Sequence, residues 1–147
     1  MAEVTRKEVI LALVAATAPR LAGVDLSAIN LSRLDFTGAN LRGANLSGSN
    51  LQEAILRAAN LTGVNLSASQ LPYVDMNAAN LTMANLQGAN LQGARLTTAN
   101  LSNADLSGAN LRGATLTGAN VTGVRFNENT IWPDGKRGSQ GSPSQYT

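Results

Sequence analysis

The chain has 147 residues, 44 per cent of them hydrophobic, and its net charge is only +2, which leaves room for one core and no second domain. It contains no Cys and no His, so disulfides, thiolate metal sites and the usual general base near neutral pH are all excluded. No catalytic residue, metal or cofactor is expected.

The first element is the stretch TRKEVILALVAATAPRL. Thr5 followed by Glu8 fits a capping box, Val9, Ile10, Leu13, Val14 and Ala16 form an apolar side at helical spacing, and Pro19 ends the pattern. A helix is predicted from Arg6 to Ala18, within an N-terminal cap over residues 1–23. Arg6 and Lys7 ahead of a short apolar run also suit an export leader. Glu8 at the edge of that run and Pro19 at the would-be cleavage junction oppose this, so a cytoplasmic location is preferred to export into a periplasm or lumen. The run is too short to span a membrane, and no membrane association is expected.

From Val24 to Phe126 a five-residue period runs without a slip through twenty-one units. A step of five suits neither a helix face nor a straight strand, but it fits a chain that turns a corner once per unit and points one residue per side at a shared axis. The central position is Leu in seventeen units, with Phe36, Met76, Val121 and Phe126 also apolar. The residue two before it is Ala in thirteen and points inward into less room. Between them stands Asn in twelve units and Asp in four, which suits an outward side chain bonded to nearby backbone or to its copy in the next coil. Gly is frequent two residues after the centre, where it fits a corner of positive φ.

The units ANLRG, ANLSG, ANLTG and ADLSG resemble the A(D/N)LXX motif of the pentapeptide repeat proteins, over about 70 per cent of the chain. The resemblance implies an all-β solenoid: a right-handed quadrilateral parallel β-helix, here of about five coils over residues 24–131, behind a short N-terminal capping α-helix. The charges agree with four sides. At a separation of twenty residues they make three opposite pairs, Arg33 with Glu53, Asp75 with Arg95 and Asp105 with Arg125, and no like pair. A separation of fifteen gives only the like pair Arg42 and Arg57.

Past Phe126 the motif stops. Ile131 still falls in register as a central residue, Trp132 before PDG suggests an apolar plug and a turn, and Lys136 onward reads as a flexible tail, so that 132–147 form a turn and tail. No C-terminal helix pattern is present, which leaves both a monomer and an end-to-end homodimer open.

For function, Asp35 and Asp75 share a column two coils apart, but Ile55 lies between them and Arg95 continues the column, which opposes an acid catalyst. Between Val24 and Phe126 there is no Lys, and both Phe occupy central, buried positions, so nucleic-acid binding is not expected. Some members of the resembled family mimic DNA and bind type II topoisomerases (gyrase). Six Arg against five acids in the repeat make a poor duplex mimic. The column Asn40, Asn60, Asn80, Asn100 and Asn120, beside Thr62, Thr82, Ser102 and Thr122, is the kind of ladder that binds ice, or one that simply stabilises the coil. The reading preferred is a non-catalytic scaffold that binds an unidentified protein. Its candidate contact corner is Arg33, Glu53, Ile55, Arg57, Tyr73, Asp75 and Arg95, flanked by Asp35 and Pro72, where an outward Ile and Tyr are rimmed by charge.

Overall fold

A computed structural model describes residues 4–147, so the first three residues of the expected cap lie outside the described residues. The single α-helix among them, α1, spans Arg6–Ala15. Its capping box forms as expected: the Thr5 hydroxyl accepts from the Glu8 N–H at 3.3 Å and Glu8 Oε2 accepts from the Thr5 N–H at 2.7 Å. The helix stops three residues short of the expected Ala18. Ala16 is already extended, with φ −139° and ψ 143°, because the residue before Pro19 disfavours helix and Arg20 must be extended to pair with Asn40. Of the apolar side, only Val9 is fully buried. Ile10 and Val14, grouped with Val9 on one apolar side by their spacing, face solvent.

From Arg20 onward the chain winds in parallel coils. Eighteen bridges join residues twenty apart, from Arg20 with Asn40 to Asp105 with Arg125. Four five-residue sides therefore complete each turn, and all three charge pairs anticipated at this separation are in contact: Arg33 with Glu53 at 3.4 Å, Arg95 with Asp75 at 4.0 Å and Arg125 with Asp105 at 3.4 Å.

The hydrogen bonds explain the unit's composition position by position. In Leu61–Asn65, the Leu61 N–H donates to the Asn80 carbonyl at 2.7 Å and the Gly63 N–H to that of Thr82 at 2.9 Å, both in the following coil. Asn65 N–H donates to Ala44 of the preceding coil at 3.0 Å, and the Val64 N–H closes the corner onto Leu61 at 3.1 Å. The fifth donor, on Thr62, has no backbone partner. It is taken by the side-chain oxygen of Asn60, at 3.2 Å. The same bond, from the N–H two residues on, is made by all twelve Asn and all four Asp of the outward position, at 2.9–3.2 Å. The outward residue thus serves its own corner as an Asx turn.

The inward positions fill a continuous core. Every central Leu from Leu26 to Leu116 is at most 2 per cent exposed, and the inward Ala two places before the centre, from Ala39 to Ala109, are equally buried. Ser49 and Ser69, which replace Ala, satisfy their hydroxyls on the Leu46 and Leu66 carbonyls at 2.6 and 2.5 Å. Each leucine withdrawn from water contributes roughly 1.5–3 kcal/mol, so the core is a stack of nearly equal increments.

The repeat ends differently from expectation. Asn110 pairs with Ile131, twenty-one residues on. This extra residue moves Ile131 to the outward position and hands the inner place to Trp132, which is fully buried. Phe126, expected inside, is 38 per cent exposed. Its ring meets Trp132 edge-on at 5.2 Å. The anticipated turn follows, with Gly135 at φ 88° and its N–H on the Trp132 carbonyl at 2.8 Å. The residues expected to trail away instead fold back. Arg137 pairs antiparallel with Ile131, Trp132 Nε1 donates to the Gly138 carbonyl at 2.8 Å, and Tyr146, in a short 3₁₀ turn over Pro143–Tyr146, stacks on Trp132 at 5.7 Å.

Two predictions follow from this packing. Ala94→Leu, which must find room for three extra carbons in a filled coil, should destabilise the protein by about 1–3 kcal/mol, whereas Leu91→Met should cost less than about 1.5 kcal/mol. Urea unfolding midpoints will separate the two.

The corners supply the second. All twenty-one from Gly23 to Gly123 have positive φ, but ten are not glycine, among them Ala78 at 59° and Met83 at 56°. A side chain in this region costs about 1–2 kcal/mol, which outweighs the extra chain entropy of glycine, about 0.5–1 kcal/mol. Ala78→Gly and Met83→Gly, both on exposed corners, should each raise stability by about 0.5–1 kcal/mol in the same assay.

Candidate protein-contact face

The four faces are unequal in their outward residues. One carries Asn40, Asn60, Asn80, Asn100 and Asn120 without interruption, a second has four Asn in five, and a third, from Asp25 to Arg125, has three Asn and two Asp in six. The face running through Asp35, Ile55, Asp75, Arg95 and Thr115 has none. Since the outward side chain normally accepts the N–H two residues on, Ile, Arg and Thr here leave a donor to be satisfied otherwise. The Thr97 N–H is rescued by Asn77 Oδ1 from the coil before, at 2.9 Å. Arg57 and Thr117 sit on exposed corners. Elsewhere the same problem meets local remedies: Gln70 is followed by Pro72, which has no N–H to satisfy, and the Asn127 N–H donates to Thr130 Oγ1 at 3.1 Å.

The seven expected residues are brought together on this face and the corner that leads into it. Arg33, Glu53 and Tyr73 stack along the corner column, all at positive φ of 57–61°. Arg33 and Glu53 form an exposed ion pair at 3.4 Å. On the face itself Asp75 is buried, 7 per cent exposed, and clasped from two sides: Arg57 Nε lies 2.6 Å and Arg95 Nη1 4.0 Å from its Oδ2. Its Oδ1 accepts the Asn77 N–H at 3.2 Å. The tight Arg57 contact spans eighteen residues, so a twenty-residue column reading does not register it.

Of the pair expected to face outward, one side chain differs. Ile55 is only half exposed, being paired between Asp35 and Asp75. Tyr73 is 58 per cent exposed and one edge of its ring, Cδ1 and Cε1, rests against Gly93: a Cβ there would come within 2.5 Å of both carbons. Gly93 is therefore the seat of the aromatic. It was absent from the sequence reading, and its position twenty residues after Tyr73 was the signal that marks it. Thr115 and Asn77 complete the face in the same way.

Electrostatics set the carboxylates apart from acid catalysis. Hydrogen bonds from the Thr37 hydroxyl and backbone hold Asp35 below the usual carboxylate range, against a small burial effect and with help from the Arg57 charge. A general acid needs the opposite shift. Asp25 is lowered by Ser27 in the same manner. At Asp105 burial pushes upward, but hydrogen bonds from Gln87 and Ser107 and the Arg125 charge outweigh it and leave it lowered too. Among the described residues no group of three or more acidic side chains gathers to hold a metal ion, and no helix is long and apolar enough to cross a membrane.

With the twenty-residue coil and the Asx-bonded five-residue unit established, the comparisons agree. The family described as pentapeptide repeats matches residues 20–57, 59–97 and 94–128 in eight copies, and the chain belongs to that family. It is similar to the crystal structure of the pentapeptide repeat protein Rfr23 from the cyanobacterium Cyanothece 51142, with 31 per cent identity over 87 per cent of this chain and 99 per cent of that one, and a TM-score of 0.80. It is also similar to alr5209, a pentapeptide repeat protein from Nostoc PCC 7120, with 27 per cent identity over 86 and 100 per cent of the two chains and a TM-score of 0.62. QnrB1, a plasmid-mediated fluoroquinolone resistance protein, is 22 per cent identical over 72 per cent of this chain and 61 per cent of that one; its TM-score of 0.43 is too low to bring anything from it to this chain. No curated protein matches.

The lowered aspartates have a testable consequence. Their folded forms bind protons less readily than the unfolded chain, so the stability they contribute is full above the unfolded pKa, near about 3.9, and is lost as pH falls through the folded values. Asn accepts the same backbone bond without titrating. The triple variant Asp25→Asn, Asp35→Asn, Asp105→Asn should therefore show a shallower loss of stability between about pH 5 and pH 2 than the parent, read from urea midpoints across that range.

Proposed function

We propose that the protein is a non-catalytic scaffold, a right-handed rod of about five coils with α1 over its first coil, that binds another protein through the face and corner carrying Tyr73. The observation that carries this reading is the complete loss of Asn from one face. Asn or Asp at the outward position completes the bonding of its corner, and fourteen of the sixteen outward residues on the other three faces are one or the other; on this face Asp35 and Asp75 keep that bond while Ile55, Arg95 and Thr115 forgo it. In its place the face holds an aromatic seated on a glycine, a buried aspartate held by two arginines, and a half-exposed isoleucine. Such a rigid aromatic with neutralised charges around it is what a protein partner can bury at low entropic cost.

Neither alternative gains from the geometry. Of the acids in the repeat, Glu53, Asp75 and Asp105 are each paired with arginine, which leaves little acidic surface to imitate a duplex. The Asn40–Asn120 column is fully employed in its own corners, which accounts for it without ice. The partner is a protein of unknown identity, met in the cytoplasm in this reading.

The double change Ile55→Asn with Tyr73→Gly tests the proposal without harming the fold. Asn at 55 supplies the missing acceptor for the Arg57 N–H, and glycine at 73 relieves a positive φ of 59°, so stability should rise by about 1 kcal/mol. Partner capture from native cell extract should be lost with this variant and kept with Thr62→Asn, Thr82→Asn on the Asn-rich side. Equal capture by all three proteins would refute the assignment, and inhibition of gyrase supercoiling at low micromolar protein would reinstate DNA mimicry.

A further inference from the structure

Helix α1 is docked along one flank and bare along the other. Val9 is buried, and Arg6 reaches the first coil, donating from Nη1 to the Asn30 carbonyl at 2.7 Å and from Nη2 to that of Ser32 at 3.1 Å. Lys7, Ile10, Leu11 and Val14 share the opposite face at i, i+3, i+4 and i+7. All four are exposed, the three apolar ones by 37, 59 and 81 per cent. Beside this row a groove of about 420 Å³ runs between the helix and the first coil, floored by Leu13, Pro19 and Leu34, with Arg33 and Asp35 on its coil side.

The charges along the groove are unequally committed. Arg33 is paired with Glu53 and the nearby Arg57 with Asp75. Asp35 uses Oδ1 for the Thr37 N–H and hydroxyl, at 2.9 and 2.6 Å, and no ion pair engages it among the described residues. Lys7 likewise has none. The acid shares the groove with Val14 and Thr17, at the C-terminal end of α1; the base lies near its N-terminal end. Between them the surface is aliphatic.

We propose that this face binds the same face of a second copy, with two α1 helices antiparallel across a two-fold axis near Ile10 and Leu11, and Lys7 of each copy against Asp35 of the other. A two-fold contact must be complementary to itself. A surface basic at one end, acidic at the other and apolar between meets that condition when paired antiparallel, and sets like charges together when paired parallel. The ten-residue helix is about 15 Å long, so the interface is at the small end of its class and the dimer dissociates in the micromolar range. The contact is argued from α1 and not from the partner proposed for the Asn-free face, and it touches that face only at its first residue, Asp35, and the neighbouring corner Arg33.

Sedimentation velocity on the full chain, from low micromolar to several hundred micromolar, tests the proposal. A concentration-dependent monomer–dimer equilibrium is expected. Leu11→Gln with Val14→Gln, both exposed, should abolish it while circular dichroism retains the helix. Lys7→Glu should weaken it about tenfold, since two copies of an exposed pair are lost. Asp35→Asn, which keeps the Thr37 turn, should weaken it less, and in that background Lys7→Glu should have little further effect. A chain that stays monomeric throughout, a dimer that survives Leu11→Gln with Val14→Gln, or charge changes that act additively would each overturn the inference. So would pelleting of a monomeric chain with phosphatidylglycerol–phosphatidylcholine vesicles that is lost in the Leu11, Val14 variant, which would assign the face to a lipid surface.

Discussion

The structure depends on the fifth backbone donor. A chain that turns a corner every five residues can place three N–H groups against neighbouring coils and one across its own corner, and the remaining one points where no backbone carbonyl lies. Leaving it unpaired in every unit would cost more than the fold could recover, since an unsatisfied donor costs about 1–3 kcal/mol where water cannot reach it. The Asn or Asp one place before the leucine answers that donor. With the corner held, the leucine is aimed inward, the alanine beside it has a fixed small space, and successive coils come into register at twenty residues. The composition of the repeat is the solution to one bonding problem, written sixteen times in twenty-one units.

That economy gives meaning to the places where it is relaxed. A position can lose its Asn cheaply if the next donor is removed, as Pro72 does, or if another oxygen is near, as Thr130 Oγ1 is to the Asn127 N–H. Departures scattered over the rod with such remedies need no further cause. On the face of Ile55, Arg95 and Thr115 they accumulate in a single column, and the side chains gained there are of the kinds that recognise proteins. Corner bonding and the recognition proposed for this face make competing demands on the same outward position.

The parts of this arrangement that could be read from sequence are those that are local or periodic. The capping box of Thr5 and Glu8 involves four adjacent residues. The inner leucines repeat without a slip, and the pairs Arg33–Glu53, Asp75–Arg95 and Asp105–Arg125 express the coil length directly. The candidate corner was legible as a position because column membership follows from arithmetic, while its depth was not: Ile55 is half covered by neighbours in the adjacent coils, and Tyr73 rests on Gly93, which in sequence looks like any other corner glycine of the repeat. Helical spacing grouped Val9, Ile10 and Val14 without revealing which flank meets the rod. At the far end Ile131 and Trp132 are both apolar, so hydrophobicity could not say which had moved inward. The Gly- and Ser-rich tail concealed its fold for a related reason, since its anchor is the Trp132 ring, a contact made by shape and not by composition.

The shift from twenty to twenty-one residues before Ile131 bears on how the rod's length is set. Coils are interchangeable modules only while every side is five residues long, because then any coil presents the same donors and acceptors upward that it receives from below. The residue added after Arg125 makes the last side incommensurate with that lattice, and the chain leaves it to fold over Trp132. Growth of such a protein by duplication is thereby confined to whole multiples of twenty residues inserted ahead of the irregular side, where new coils inherit a matching floor and ceiling. Behind it the ladder resumes one residue late, with the Leu111 and Gly113 N–H groups on the Ile131 and Pro133 carbonyls at 2.8 and 2.9 Å, so any added unit would have to take its phase from Trp132 and not from Phe126.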